Sequence, residues 1–412
     1  MLRQILHGAV LDPQGERLGH VVDCICRFSD TGYPRIKGLS IEIGSRDLFV
    51  PVSMITGLRA GEAKLEGQTL NLTRFERREG EVLLAEDVLG RRMIDVAKGR
   101  LIVAENLALA HVHDAWRLAG VDPGRPGLLR GLFARGGSGT EPRAPLVDWT
   151  DIQPFVGHVP TARLLMPLQG LKRLHPAQIA DLVEHASHEE GEEILGAVQP
   201  DAELTADVFE ELDPEHQVEF LRERSDEEAA QVLDDMDLDA AADLLTELSQ
   251  ERRAGVLAAL PQERQAKLRQ LLQYNPEVAG GMMSPDVITV LGSAGATAAI
   301  EAVRTAMDDV PPTLLGDIFV IAEDGTLLGS IGASDLLRAG AGQTVGELPG
   351  LVKARVGVDA DLEEVSLLMS DYNLTAAAVV DATDHLVGAI SVDDVLELLV
   401  PDDWRRRQES EV

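Results

Sequence analysis

The sequence is poor in aromatic residues: Trp, Tyr and Phe make up only 3% of its 412 residues. Its cores must therefore be built from Leu, Val, Ile and Ala. Cysteine is nearly missing too, with Cys24 and Cys26 the whole complement. No disulfide framework can form, which points to a reducing, cytoplasmic setting. No uncharged apolar run reaches about 18 residues, so no membrane span is expected, and no charged-then-apolar leader opens the chain. Also absent are a Walker loop, a GxSxG elbow, an HExxH pair and a Cys/His nucleophile arrangement, so an enzyme is not expected.

Basic charge is scarce in one part only. Residues 1–150 hold 20 Lys and Arg against 19 Asp and Glu, whereas residues 151–412 hold 17 against 51, within a formal net charge of −33. Such an acidic surface would repel nucleic acid. It suits cations, basic partners or plain solubility.

What is present falls into segments, and the pattern predicts an α+β multidomain chain. Residues 1–122 read as short alternating strands in two similar pieces, "HVVDCICRF" through "DLFVPVSMITGL" and then 86–122, a small β half-barrel region. Cys24 and Cys26 lie in one such strand with no second pair, which argues against zinc. His111 and His113, and His185 and His188 beside Glu189, read as surface positions. Residues 123–160 are a Gly, Pro and Arg-rich linker.

From 201 the chain repeats every twelve residues, each block opening on Asp201, Asp213, Ser225, Asp237, Ser249 or Pro261. The first five are N-cap types, and Pro suits a helix start. A less regular pair opens at His175 and Ser187. Helices this short must stack to be stable, so 161–279 is predicted to be a small α-helical superhelix. Asp239 and Asp243 lie four apart on one helix face, where like charges repel unless a cation joins them. From 280 a β-α-β-β-α order occurs twice, about 280–342 and 343–403, before a tail at 404–412.

The first 122 residues resemble PRC-barrel segments, an adaptor fold, which implies a protein partner. The twelve-residue repeats, "YNPEVAGGMMSPDVITV" and the closing "LVGAISVDDVLEL" resemble the cytosolic part of MgtE-type magnesium transporters over about 164–403. That resemblance implies a helical N domain followed by a tandem pair of cystathionine-β-synthase (CBS) domains, with Mg²⁺ held by carboxylates between them. Position by position, the N-domain acids fall on Asp207, Asp239 and Asp243, and the CBS acids on Asp361, Glu363, Asp393, Asp394 and Glu397. One family Asp falls on Asn373. The family continues into a membrane domain that this sequence lacks, so no transport by this chain alone is expected.

CBS pairs also imply adenine nucleotide. Asp335, Ser391 and Asp394 match the ribose-gripping pattern, but Gly332 stands where a hydroxyl is wanted, and Asp317, Ser334 and Leu374 replace the family's aromatic or Arg positions around ATP. Nucleotide is therefore not expected, and these residues also suit helix caps. The resemblance further implies a homodimer through helices near 362–372 and 393–400. The leading expectation is a cytoplasmic Mg²⁺-sensing regulatory protein. The alternatives are a protein–protein scaffold, a CBS adenine-nucleotide sensor, or a regulatory subunit of a magnesium transporter.

Overall fold

Alternation of apolar and polar residues does make the first part a β structure. The computed structural model describes residues 1–28, 32–66, 75–112, 115–124, 145–159, 170–307, 310–340 and 342–401. Most of the expected linker, the tail and His113 lie outside the described residues. The chain divides into two compact units, Met1–Leu212 and Asp213–Val412.

The first unit contains β1 (Ala9–Leu11), β2 (Arg17–Arg27), β3 (Arg35–Ile43), β4 (Arg46–Pro51), β5 (Ile55–Arg59), β6 (Glu62–Leu65), β7 (Val82–Leu83), β8 (Arg92–Asp95), β9 (Arg100–Val103), β10 (Asn106–Val112), β11 (Ala115–Asp122), β12 (Val147–Asp148) and β13 (Ile152–Pro154). The two similar pieces seen in the sequence do not fold as separate bodies. A curled sheet runs β10-β11-β3-β2-β1-β6-β5, with β4 pairing β3, β7 pairing β2 and β12 pairing β11, so strands of both pieces share it. A second sheet, β13-β8-β9, contributes Met93 and Ile102 to the same core as Cys24, Cys26, Leu39, Ile41 and Trp149. One shared core buries more apolar surface than two half-size ones, which explains the merger. Both cysteines are buried thiols, and burial pushes them up, away from the reactive thiolate.

Three helices complete this unit: α1 (Pro176–His185), α2 (His188–Val198) and α3 (Ala202–Glu210). α1 lies against β9, and Glu193 of α2 accepts the amides of Val156 and Gly157 at 2.8 and 2.9 Å. Arg92 pairs with Glu190 at 3.3 Å and donates to the His185 carbonyl. The opening helices of the repeat are thus fixed to the β region.

The second unit begins with α4 (Pro214–Arg222), α5 (Asp226–Asp235), α6 (Leu238–Glu247), α7 (Gln250–Ala259) and α8 (Gln262–Leu271). Each packs on the next but one: α4 on α6, α5 on α7, α6 on α8. Buried Leu233, Leu244, Leu245, Val256 and Leu268 supply the contacts, and each full leucine burial is worth about 1.5–3 kcal/mol. Arginines at the fourth position of their blocks tie the stack lengthwise. Arg252 donates to the carbonyls of Leu221, Arg224 and Ser225, and Arg264 to those of Leu233 and Met236. They thereby satisfy helix-end acceptors that a short helix leaves open. The caps follow only part of the sequence pattern. Ser225 and Ser249 accept from the third residue of their helices, whereas the side chains of Asp213 and Asp237 make no such bond. Asp201 pairs with Lys172 at 3.0 Å.

The joint to the final part is a short helix, α9 (Ala279–Met282). A Cβ on Gly281 would sit 2.3 Å from the Asn275 carbonyl and one on Gly280 2.6 Å from the Tyr274 ring, so the "AGG" run is a packing requirement. The Ala279 and Gly280 amides bond to the Ala360 and Val358 carbonyls. Lys267 of α8 meets Asp286 at 2.7 Å.

Two α/β copies follow. The first has β14 (Thr289–Leu291), α10 (Ala296–Ala306), β15 (Asp317–Ile321), β16 (Leu327–Gly332) and α11 (Ala333–Arg338). The second has β17 (Val356–Gly357), α12 (Leu362–Tyr372), β18 (Ala376–Val380), β19 (Leu386–Ser391) and α13 (Val392–Leu399). In each, a parallel pair is extended by an antiparallel hairpin. The copies meet over Leu314, Phe319, Leu327, Ala376, Ala378, Val380 and Ala389. The small residues of "AAAVV" leave room there for the Phe319 ring.

Candidate functional site

The acids singled out by the sequence occupy three places. On α6, Asp239, Asp243 and Glu247 recur every fourth residue and share one side, while Leu238, Ala241, Ala242, Leu244 and Leu245 bury the other. Asp239 is half-buried, with its Oδ1 shielded from solvent. Asp243 keeps solvent contact, yet the packing around its carboxyl, with Glu247 one turn on, pushes it up to about 6.

The second place is the start of α12. Asp361 caps it, accepting the Glu364 amide at 2.9 Å, and Glu363 stands exposed in the first turn. Asn373, where the resemblance implies an Asp, falls at the other end of α12. There Asn373 takes φ 52°, the left-handed conformation in which asparagine is tolerated best after glycine.

The third is the start of α13, a reciprocal capping box. The Asp394 amide donates to Ser391 Oγ at 3.2 Å, and the Ser391 amide to Asp394 Oδ2 at 3.0 Å. Burial raises the Asp394 carboxyl, the Ser391 bonds oppose this, and Asp393 and Glu397 add repulsion. Among the described residues, Asp243, Asp361, Glu363, Asp393 and Asp394 form no ion pair. Asp207 lies apart, on α3 of the first unit, where burial first and Glu203 next raise its carboxyl against the pull of His175.

These carboxylates do not converge. Among the described residues, no three of their ligand atoms lie within 4.8 Å of one another. That spacing does not grip a bare ion. It suits a hydrated one, and Mg²⁺ keeps several waters and takes one or two carboxylates directly. Carboxylate oxygens and water are the hard donors such an ion prefers.

The nucleotide candidates are engaged within the chain. Ser391 and Asp394 form the capping box, as the cap reading expected. Asp335 pairs with Arg338 at 3.4 Å, and Gly332 offers no hydroxyl. Asp317 is buried and accepts a 2.6 Å bond from Thr375 Oγ1 of the other copy. Sequence reasoning placed Asp317 but missed Thr375, because only the packing of the two copies brings them together. His111 is exposed against the Trp116 edge, and exposed His185 bonds its own helix at Asp181.

A stack of short helices leading through a glycine joint into paired α/β copies, with acids at the helix starts, is a plan shared with regulatory domains. Residues 174–277 match the family of the MgtE intracellular N domain, and residues 278–342 and 354–401 match the CBS domain family. The magnesium transporter MgtE of Thermus thermophilus is 34% identical over 134 residues, 32% of this chain and 29% of that protein. The Enterococcus faecalis magnesium transporter MgtE is 28% identical over 133 residues, again 32% and 29%. The alignment thus spans less than a third of either relative. Among solved structures, the cytosolic domain of the Mg²⁺ channel MgtE in complex with ATP matches with a TM-score of 0.52 and 28% identity, covering 56% of this chain and 92% of that one. The soluble part of a magnesium transporter matches in fold at a TM-score of 0.50 and 23% identity, covering 56% and 90%. Among the described residues, no helix is long and apolar enough to cross a membrane.

Proposed function

We propose that this chain is a cytoplasmic Mg²⁺-responsive regulatory module that serves magnesium transport. The observation that carries the reading is the gathering of carboxylates along one side of α6 and at the starts of α12 and α13, all within the second unit, of which Asp243, Asp361, Glu363, Asp393 and Asp394 form no ion pair among the described residues. In the absence of cation their repulsion opposes approach of the helices to the CBS pair. A hydrated Mg²⁺ between Asp239 and Asp243 on one side and Asp393, Asp394 and Glu397 on the other removes that repulsion and draws the parts together. The ligand thus biases a two-state element. Asp361 and Glu363 offer a second acidic edge, and Asp207 a separate acid in the first unit.

The second copy also presents Leu367, Tyr372, Leu396, Leu398 and Leu399 to solvent on α12 and α13. An apolar patch of this kind fits a homodimer through the CBS pair. The β region, with its PRC-barrel resemblance, serves as an adaptor for a protein partner. ATP stands as a second ligand to test because a relative was solved with it. Asp317, raised by burial and held by Thr375, places an acid near the copy interface that would disfavour a phosphorylated ligand.

The test is a MgCl₂ titration of the purified chain followed by small-angle scattering and limited proteolysis, with light scattering for the dimer. Compaction at millimolar Mg²⁺ is expected, and it should be lost in the D239N/D243N/D394N variant. In wild type the thermal stabilisation should grow with free ligand, about 2.7 kcal/mol at a hundredfold excess over Kd. No change at millimolar Mg²⁺ would remove the sensing role, and a stable pull-down partner with that indifference would favour a scaffold.

A further inference from the structure

The first unit carries a charge arrangement that the magnesium reading does not use. In the curled sheet, Arg117 of β11 is in register with Arg35 of β3, and Arg35 is in register with Arg27 of β2. Three arginines therefore stand side by side across three adjacent strands. Strands are about 4.8 Å apart, so the row is about 10 Å long. Lys37, two residues along β3, lies on the same face, exposed like Arg27 and Arg35.

Like charges directly opposite one another across strands destabilise a sheet. Here no carboxylate relieves them among the described residues. Arg27 donates to the Glu79 carbonyl at 2.8 Å and Arg117 to the Tyr33 carbonyl at 3.1 Å. Both partners are neutral main-chain oxygens, which orient a guanidinium without cancelling its charge. Neither Arg35 nor Lys37 has a hydrogen-bond or ion-pair partner among the described residues. The acid at that edge, Asp148, accepts from the Tyr33 hydroxyl at 2.8 Å and from Thr150; it keeps its charge but forms no ion pair with the row among the described residues.

We propose that this arginine row binds a small, multiply phosphorylated anion. Guanidinium forks match phosphate oxygens two at a time, and a run of them at strand spacing matches several phosphates in a chain. A small ligand is favoured over an extended anionic surface. With a chain net charge of −33, an extended surface meets repulsion over its whole contact, whereas beyond about 8 Å salt screens the remaining acids from a compact ion. The proposal is independent of the Mg²⁺ reading, since it rests on the other unit and on opposite charge.

The experiment is calorimetric titration of the full chain with sodium tripolyphosphate in Mg²⁺-free buffer, with anionic phospholipid vesicles as a second arm. Saturable tripolyphosphate binding is expected, weakened on the order of tenfold in Arg35→Thr and lost in R35T/R117T. Without ligand, R35T should melt no lower than wild type, because it relieves repulsion in the row. That result separates a lost site from a damaged fold. Absence of saturable binding, undiminished binding by R35T, or binding to vesicles alone would overturn the proposal.

Discussion

The two CBS copies share one backbone plan and differ in chemistry at the same point. In the second copy, β19 hands over to α13 through Ser391, whose hydroxyl and the Asp394 carboxylate cap each other's amides. In the first copy the equivalent position is Gly332, α11 runs only six residues, and Asp335 turns to Arg338. The acid of the first copy is thus neutralised locally, whereas that of the second sits with Asp393 and Glu397 and has no basic neighbour in its last turn. A capped helix can hold several carboxylates in its first turn, because its open amides and dipole favour negative charge there. The two copies thus spend the matching acid differently, on an ion pair in the first and on a helix cap in the second.

The bond between the copies is the largest lever on this difference. Thr375 donates to the buried Asp317. Thr375→Val should cost about 1–3 kcal/mol, since it leaves a buried acceptor without its donor, and a chemical denaturation midpoint at neutral pH would measure it. Burial raises Asp317, and the threonine bond opposes that rise. A raised acid contributes stability below its unfolded pKa and loses it as pH climbs through the folded one. Removing Thr375 raises Asp317 further, so the loss should be large at neutral pH and small in acid. Equal losses at both would show that the bond does not act through the ionised carboxylate.

Next in size is the cap of the second copy. Ser391→Ala removes the hydroxyl that receives the Asp394 amide, at a cost of about 1 kcal/mol in thermal unfolding. It also removes a bond that holds Asp394 down, so its carboxyl should move further up in a titration followed by NMR. An unshifted Asp394 would mean that burial, rather than the cap, governs it.

The sequence announced these copies well and the packing around their acids poorly, for a physical reason. Strand pairs closed by tight turns, such as that at Gly325 with φ 88°, are local signals. So are serine caps, and Ser225, Ser249 and Ser391 all behave as such. Aspartate is less legible, because a charged side chain is drawn to cations beyond its own helix, as Asp201 is to Lys172. Carboxylates four apart on α6 could be read from spacing, but their distance from α13 is set by packing. The arginine row was invisible for a related reason. Arg27, Arg35 and Arg117 meet only through strand register, and a shift of one residue would send one of them to the other face.

The smallest effect is also the most direct test of the asymmetry between the copies. Gly332 has φ −69° and ψ 144°, values that serine adopts without strain. A Cβ there would find nothing nearer than Ser334 Oγ at 3.9 Å and Asp335 Oδ2 at 4.0 Å. Gly332→Ser should therefore be accommodated and should give α11 the cap that α13 has. Glycine is itself a fair N-cap, so the gain should be only a few tenths of a kcal/mol. Thermal unfolding would read it as a slight rise in Tm. The sharper readout is Asp335, whose amide should donate to the new hydroxyl while its carboxylate leaves Arg338 for the main-chain amide of residue 332, completing a second capping box. A G332S variant in which Asp335 stays on Arg338 would show that the ion pair, rather than the missing hydroxyl, sets the first copy apart.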